Sequence, residues 1–536
     1  MTKMLLLGDE AVARGAIDAG IGGMFGYPGT PSTEIFEYAE KYNEKVQEFS
    51  AKWSGNEKVA YEEALGMSYT GKRAMVTMKC VGLNVAADPF ISSNIVKING
   101  GFVAAVADDP GMHSSQNEQD ARYLAEFARI VCYEPSDQQE CYDMTREAFE
   151  LSEKYNIPTL VRLVTRIAHA RAPVETAPAD KYRQEVKLPD DPAHNWIVLP
   201  FNARKLFVAL LEKRKKLIQY SSQCKWNFIK RTKDKKYADK GVITCGTGYN
   251  YIREAFSLLG IEIDVLKIGF NPLPEKLIKE FLKDKKEVLL LEDGFPFVEE
   301  KLLGIVGKGP VIKGRLSGTV TETGELNPDV VIEALTKFLP DVKAEKHSVN
   351  KTEIPGRPPM LCKGCPHTDT FLALNEALKN RKPKGVFSDI GCYTLGALKP
   401  LEAIDTCIEM GASIGMAKGA AQGGLKYSVA VIGDSTFEHS GLTTTVGAAK
   451  LNTPMTIIIL DNGITAMTGM QQSLLNGEKL VKLVKGLGVN PDHVKIIKPL
   501  PQNHKENTEI IGKELDYEGL SVVIAQRECI HILGKK

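Results

Sequence analysis

Two apolar runs in the last quarter of the chain, Ser428 to Ile432 and Met455 to Leu460, are continuous rather than alternating. That is the pattern of strands buried on both faces of a parallel sheet. Each run ends in a short polar signature, Gly433-Asp434-Ser435 and Asp461-Asn462-Gly463, and the segment between them has a helix-compatible pattern. The stretch therefore predicts a strand–loop–helix–strand unit with polar groups at both strand tips, where open α/β sheets bind ligands.

The same grammar recurs upstream. The stretch Gly22 to Thr33 is a strand feeding a Gly/Pro turn, with a helix expected to start at Ser32 or Thr33. A helix over Asn56 to Gly71 and strands at Arg73 to Met78, Phe102 to Ala107 and Thr159 to Leu163 make residues 1–185 an α/β domain. Residues 186–240 hold the lysine-rich runs Lys213 to Lys216 and Lys225 to Lys240, and read as a basic helical connector. A solvated helix is favoured there over a docking patch, because acidic and apolar positions are interleaved. The α/β pattern resumes over 241–340, a middle domain, and 341–358 is a linker by composition. Residues 359–536 form the last α/β domain, whose final strand is Ser521 to Ala525. The fold class expected is α/β, three domains with mainly parallel sheets.

Composition refines this picture only slightly. The chain has 536 residues, 43% hydrophobic and 25% charged, enough for several ordinary globular cores. A net charge of +1 offers no bulk attraction for nucleic acid or a membrane surface. No apolar run is long enough to span a bilayer. The N-terminal patch moves straight into Gly8-Asp9-Glu10 and a helical pattern, which reads as strand and helix rather than a signal peptide. Ten cysteines, mostly scattered, argue for a reducing cytoplasm over a disulfide framework.

Several positions carry candidate chemistry. Asp434 and Asn462, at adjacent strand tips, can reach one magnesium ion and leave positions for a diphosphate; capping the two turns is the plain alternative. Glu57 opens its helix, where a carboxylate also serves the helix dipole. The Gly/Ala segment Glu409 to Ala420 lets a backbone approach a ligand or another helix. Cys362-Lys363-Gly364-Cys365 is the one CxxC pair, and with Cys392 and Cys529 it would suit a [4Fe–4S] cluster or a zinc ion, or hold no metal. His113 and Arg122 flank a polar loop after Asp109; an arginine fork can clamp a carboxylate, and a salt bridge is the default reading.

Taken together, YPGTPSTEIFEY (27–38), NEKVAYEEALG (56–66), GLNVAADP (82–89), ADDPGMHSSQNEQDAR (107–122), LCKGCPH (361–367), DIGCYTLG (389–396), GDSTFEHSG (433–441) and LDNGITAMTG (460–469) resemble a known family. It is the thiamine-diphosphate-binding large (alpha) subunit of indolepyruvate ferredoxin oxidoreductases, within the 2-oxoacid:ferredoxin oxidoreductase superfamily. The resemblance runs in order along nearly the whole chain. It implies a pyrimidine-binding fold in the first domain and a diphosphate-binding fold in the last. Asp434 and Asn462, with the Ile464 carbonyl, would hold Mg2+; Gly433, Ser435 and Gly411-Ala412-Ser413 would line the diphosphate. The Glu57 carboxyl would hydrogen-bond N1′ of the aminopyrimidine. Thr30 would lie near the substrate and Arg122 would clamp its carboxylate. Cys362, Cys365, Cys392 and Cys529 would ligate a single [4Fe–4S] cluster, which the resemblance places above zinc.

The implied reaction is oxidative decarboxylation of a 2-oxoacid, an arylpyruvate such as indolepyruvate, to an acyl-CoA, with electrons passing to ferredoxin or another low-potential carrier. A small beta subunit and homodimerisation within a heteromeric complex come with the resemblance, as does a cytoplasmic setting. Two departures stand out. The typical large subunit continues into a ferredoxin-like domain with two cysteine-rich motifs, which this sequence lacks, so the outward relay is expected from a partner or directly from one proximal cluster. Cys80 sits where the family usually has a histidine. A non-oxidative thiamine decarboxylase or acyl-transfer enzyme, and a non-catalytic thiamine-binding scaffold, are the alternatives.

Overall fold

The computed structural model describes residues 2–180, 185, 186, 188, 190, 191, 195–234, 236–306, 309–321, 323–344, 360–407, 409–422 and 424–533. Most of the 341–358 linker expected from composition lies outside them. The chain forms two compact units, Met1–Val349 and Asn350–Lys536.

The first unit holds two main sheets. The larger has seven strands in the order Phe270–Asn271, Val131–Tyr133, Thr159–Val164, Phe102–Asp108, Ala74–Lys79, Gly23–Gly26, Ser50–Trp53. All pairings are parallel except the edge pair Phe270–Asn271 with Val131–Tyr133. Its continuous apolar strands are explained by cover on both faces. Val103 and Ala105 pack with Val12, Phe36 and Phe149, whereas Ala104 and Val106 pack with Tyr61, Phe90 and Leu160 on the other side. The second sheet runs Val311–Lys313, Glu287–Leu291, Lys240–Cys245, Asp264–Ile268, Phe228–Lys230, antiparallel only at the last strand. Phe228–Lys230 belongs to the stretch read as connector, and Phe270–Asn271 of the middle segment joins the larger sheet, so the boundaries interlock. The connector's helix, Pro200–Ser221, buries Leu206, Leu210 and Leu217 along one stripe and leaves its lysines outward, apart from Lys213, whose Nζ donates to the Asn156 carbonyl at 3.3 Å.

Two buried arginines join these sheets. Arg162 donates to Asp108, at 2.6 Å, to Glu134, at 3.0 Å, and to the Asp293 carbonyl, at 3.0 Å. Arg122, 1% exposed, donates to Asp120, to Glu292 at 2.7 Å, and to the carbonyls of Asp293 and Phe295, each at 2.9 Å. Burial pushes the Glu292 carboxyl up to about 7 against the pull of Arg122 and two backbone amides. A carboxyl raised on folding contributes stability that is fully present below its unfolded value and is lost as pH rises through the folded one. Glu292→Gln is therefore expected to unfold at a temperature that depends less on pH between about 4.5 and 7 than that of the parent chain. Parallel thermal melts across that range check it; identical pH slopes would remove Glu292 as the source.

The main sheet of the second unit is six-stranded and all-parallel: Thr406–Cys407, Lys384–Ser388, Tyr427–Gly433, Met455–Asp461, Leu520–Gln526, Val494–Ile497. The alternation repeats, with Val429, Val431 and Ile458 facing one core and Ala430, Ile432 and Ile457 the other. The helix expected between the two central strands is not regular. It starts as Asp434–Thr436, widens to a π turn over Phe437–Gly441, and continues as Leu442–Lys450. Single π turns of this kind concentrate at functional sites. Among the described residues no helix is long and apolar enough to cross a membrane.

Candidate functional site

Within the second unit, the register Gly433↔Leu460 sets Asp434 level with Asp461, one residue before Asn462, across neighbouring parallel strands. Asp434 is 2% exposed; its Oδ1 accepts from the Ser435 amide at 2.9 Å and its Oδ2 from the Gly463 amide at 2.8 Å. Asn462 Oδ1 accepts from the Ile464 amide at 3.0 Å. Asp434, Asn462 and Ile464 are thus brought to one turn, in line with their spacing. Burial raises the Asp434 carboxyl well above its ordinary value, and the nearby Asp461 and Glu438 add to this. A buried acid whose charged neighbours are also acids suits a divalent cation.

Gly411, at φ +96°, leads into the helix Ala412–Gln422, so Gly411, Ala412 and Ser413 form its N-terminus, where the Ala412 amide donates to the Glu409 carbonyl at 3.3 Å and the Ser413 amide to Asp389 Oδ2 at 3.4 Å. Ser413 is tied down by Asp389, whose Oδ2 accepts from its hydroxyl at 2.6 Å, while the Tyr393 hydroxyl donates to Oδ1. Tyr393 also reaches Thr436 Oγ1, at 3.1 Å. Burial pushes Asp389 up to about 7 despite these donors. Asp389, Tyr393 and Glu438, the last held by the Leu475 amide at 2.9 Å, lie within the quoted motifs, but residue type and spacing alone point to no role for them. The available signal for Asp389 was its place at the end of the strand Lys384–Ser388.

The four cysteines also meet. Cys362, Cys365, Cys392 and Cys529 lie close enough to act on one another electrostatically: burial raises the Cys392 thiol to about 11, and Cys365, Cys529 and Cys362 contribute next. The same neighbours act on Cys365 after burial and its backbone hydrogen bonds. Asn462 links this group to the strand tip. Its carbonyl accepts from the Cys529 amide at 3.1 Å, and its side-chain nitrogen lies 3.3 Å from His367 Nε2, two residues past Cys365. His367 is 3% exposed and burial lowers its imidazole to about 4, so it is neutral at physiological pH.

In the first unit, Glu57 begins the helix Glu57–Tyr69, and the Asn56 side chain caps it by accepting from the Val59 amide at 2.8 Å. Glu57 is 6% exposed, against Gly82: a Cβ there would lie 2.6 Å from its Oε1. Lys79, unremarked in the sequence, is buried nearby and donates to the Ser114 carbonyl at 3.3 Å; burial lowers its ammonium, while Cys80, Asp109 and Glu57 oppose that. Ser114 in turn donates to the Thr30 carbonyl at 2.9 Å, so the 109–115 loop packs on the Thr30 turn. Cys80 is buried, and burial raises its thiol to about 12. His113 is a surface group 3.4 Å from Glu325. Arg122 corrects an expectation. Its fork is committed to Asp120, Glu292 and two carbonyls of its own chain, deep in the core, so it does not present donors to a substrate carboxylate.

Comparison with known proteins agrees with this arrangement of folds. Residues 14–199 match the family model described as pyruvate flavodoxin/ferredoxin oxidoreductase, thiamine diP-bdg, and residues 389–524 match the thiamine pyrophosphate enzyme, C-terminal TPP binding domain. The chain is 39% identical over 552 residues to the indolepyruvate oxidoreductase subunit IorA of Archaeoglobus fulgidus, covering 98% of this chain and 86% of the relative. The subunit of the same name from Thermococcus kodakarensis is 39% identical over 570 residues, with the same shares. A solved 2-oxoglutarate:ferredoxin oxidoreductase from Magnetococcus marinus matches with a TM-score of 0.52 at 18% identity, over 62% of this chain and 65% of that one, which speaks for the fold alone. Two thiamine-binding folds, and this identity sustained over nearly the full length, mean that the chain belongs to the family of the indolepyruvate oxidoreductase subunit IorA.

Proposed function

We propose that the chain is the thiamine-diphosphate-binding subunit of an enzyme that oxidatively decarboxylates a 2-oxoacid, an arylpyruvate such as indolepyruvate, to an acyl-CoA, with electrons passing to ferredoxin or a similar low-potential carrier. The observation that carries the reading is the hydrogen-bonded junction at Asn462, which joins the diphosphate-side strand tip to Cys529 and to His367 of the CxxCPH motif. A simple decarboxylase has no use for four converging thiols beside its diphosphate anchor.

Asp434, Asn462 and the Ile464 carbonyl would hold Mg2+, and Gly433, Ser435 and Gly411 to Ser413 would line the diphosphate. Glu57 would hold a proton at N1′ of the aminopyrimidine, with Gly82 leaving it room. The Thr30 turn, braced by Ser114, would border the 2-oxoacid. Thiamine diphosphate, when bound, supplies the carbanion chemistry of decarboxylation, and an iron–sulfur cluster supplies one-electron transfer. Cys362, Cys365, Cys392 and Cys529 would carry that cluster. A small beta subunit and a second copy of this chain would complete the complex.

The test is anaerobic purification of the assembled complex, with iron and sulfide assayed alongside activity on a panel of 2-oxoacids with coenzyme A and ferredoxin. Iron about four atoms per chain higher in the parent complex than in Cys365→Ser, with ferredoxin reduction lost in that variant, is the expected result. Full activity in iron-free protein would sink the oxidoreductase reading, and a preferred aliphatic substrate would overturn the arylpyruvate assignment.

A further inference from the structure

The helix Gly8–Asp18 follows directly on the strand Thr2–Leu7, and its second residue, Asp9, is 0% exposed. Neither carboxylate oxygen of Asp9 has a hydrogen-bond partner. A carboxylate in that position is costly unless it is neutralised or given a cation. Two ligating side chains meet it. Glu34 stands in the first turn of the helix Thr33–Val46, and His169 caps the short helix Thr165–Ala168. The approach depends on Gly8: a Cβ there would lie 2.2 Å from the Ile167 carbonyl oxygen, so only glycine lets the helix start close on the 165–169 turn.

His169 Nε2 lies 3.5 Å from Glu34 Oε2, and one ligand atom from each of Asp9, Glu34 and His169 lies within 4.8 Å of the others. It is the one group of three or more His, Cys, Asp or Glu ligand atoms so clustered among the described residues. Ligand bonds of about 2.0–2.2 Å put neighbouring donors roughly 3–4 Å apart, so closure on an ion needs side-chain shifts of about an ångström. We propose that Asp9, Glu34 and His169 form a binding site for one divalent transition-metal ion, built from three elements of the first unit and additional to any ion at the diphosphate anchor. An imidazole with two carboxylates suits manganese, iron or zinc better than magnesium or calcium, which favour all-oxygen shells. Asp9 is buried, Glu34 half-buried and His169 exposed, which leaves a solvent side for entry and for water ligands. Such an ion would pin the N-terminal helix and the helix after the Thr30 turn to the end of the strand Thr159–Val164.

The test uses the full chain, stripped with chelator, without thiamine diphosphate, and titrated with Mn2+ under electron paramagnetic resonance; Mn2+ is chosen because thiolates bind it poorly. Wild type and Asp434→Asn are expected to bind one equivalent and to melt at a higher temperature with it. His169→Ala, a change at an exposed side chain, and Asp9→Asn are each expected to weaken that equivalent at least about tenfold and to lose the shift. Equal binding by wild type and His169→Ala would overturn the site, as would no Mn2+ binding by wild type. Should Asp9→Asn fail to fold, His169→Ala decides alone. A chain in which Asp9 is merely a protonated buried acid would show no Mn2+-dependent shift in any variant, and that also overturns the proposal.

Discussion

Turnover of a 2-oxoacid by the Glu57→Gln variant, in the assembled complex with saturating thiamine diphosphate, is expected to fall by about two to four orders of magnitude. The side chain is in the right condition for proton work: 6% exposed, at the first turn of a helix whose start is fixed by the Asn56 cap, with Gly82 against its carboxyl. Glutamine keeps the volume and a hydrogen-bonding end but cannot hold the proton as a carboxyl does. The competing role, a carboxylate favouring the helix dipole, is worth about 0.3–1 kcal/mol. It would cost the variant a little stability and no rate. Steady-state kinetics and a melt on the same preparation separate the two: a small loss of stability with unchanged turnover would leave Glu57 a helix-end residue and return the scaffold reading to favour.

Arg122→Met is expected to destabilise the first unit by about 3–5 kcal/mol, the cost of leaving buried charges without their partner. Methionine matches much of the length and none of the charge. Asp120 and Glu292 would then face each other in the core, with Arg162 the remaining cation of the group. Arg122 is what holds Asp120 down to about 2 against its burial, together with Arg162. Arg122→Lys keeps the charge but loses the fork that reaches Asp120, Glu292 and two carbonyls at once, and is expected to fall between the two. Denaturant unfolding of the three proteins measures this. A substrate clamp would behave oppositely, with stability kept and KM for the 2-oxoacid raised; that outcome would restore the role expected from the motif.

Much of the architecture was legible because it is local. A strand covered on both faces must be apolar at successive positions, so Phe102–Asp108, Tyr427–Gly433 and Met455–Asp461 announce themselves within a residue of their ends. The turn chemistry from Gly22 to Ser32, the Asn56 cap and the polar tips at Asp434 and Asn462 are short-range too, and the order of these motifs along the chain carries the family. The helix after Asp434 was less legible, since a π turn differs from an α turn by the carbonyl each amide meets, not by composition.

Which charges meet belonged to the tertiary structure. Arg122 reads as a clamp on a loop until the middle sheet presents Glu292 and the Asp293 carbonyl to it. Asp9, Glu34 and His169 come from three separate elements and share no spacing; they converge because Gly8 lets one helix end approach the turn after the strand Thr159–Val164. Cys529, placed by the strand Leu520–Gln526 beside Met455–Asp461, comes within electrostatic reach of Cys362, Cys365 and Cys392, far from it in sequence. Periodicity determines which residues are buried, because burial follows from one element's own face. Partnership between buried polar groups depends on how sheets cross and stack, and no local pattern in the chain encodes that.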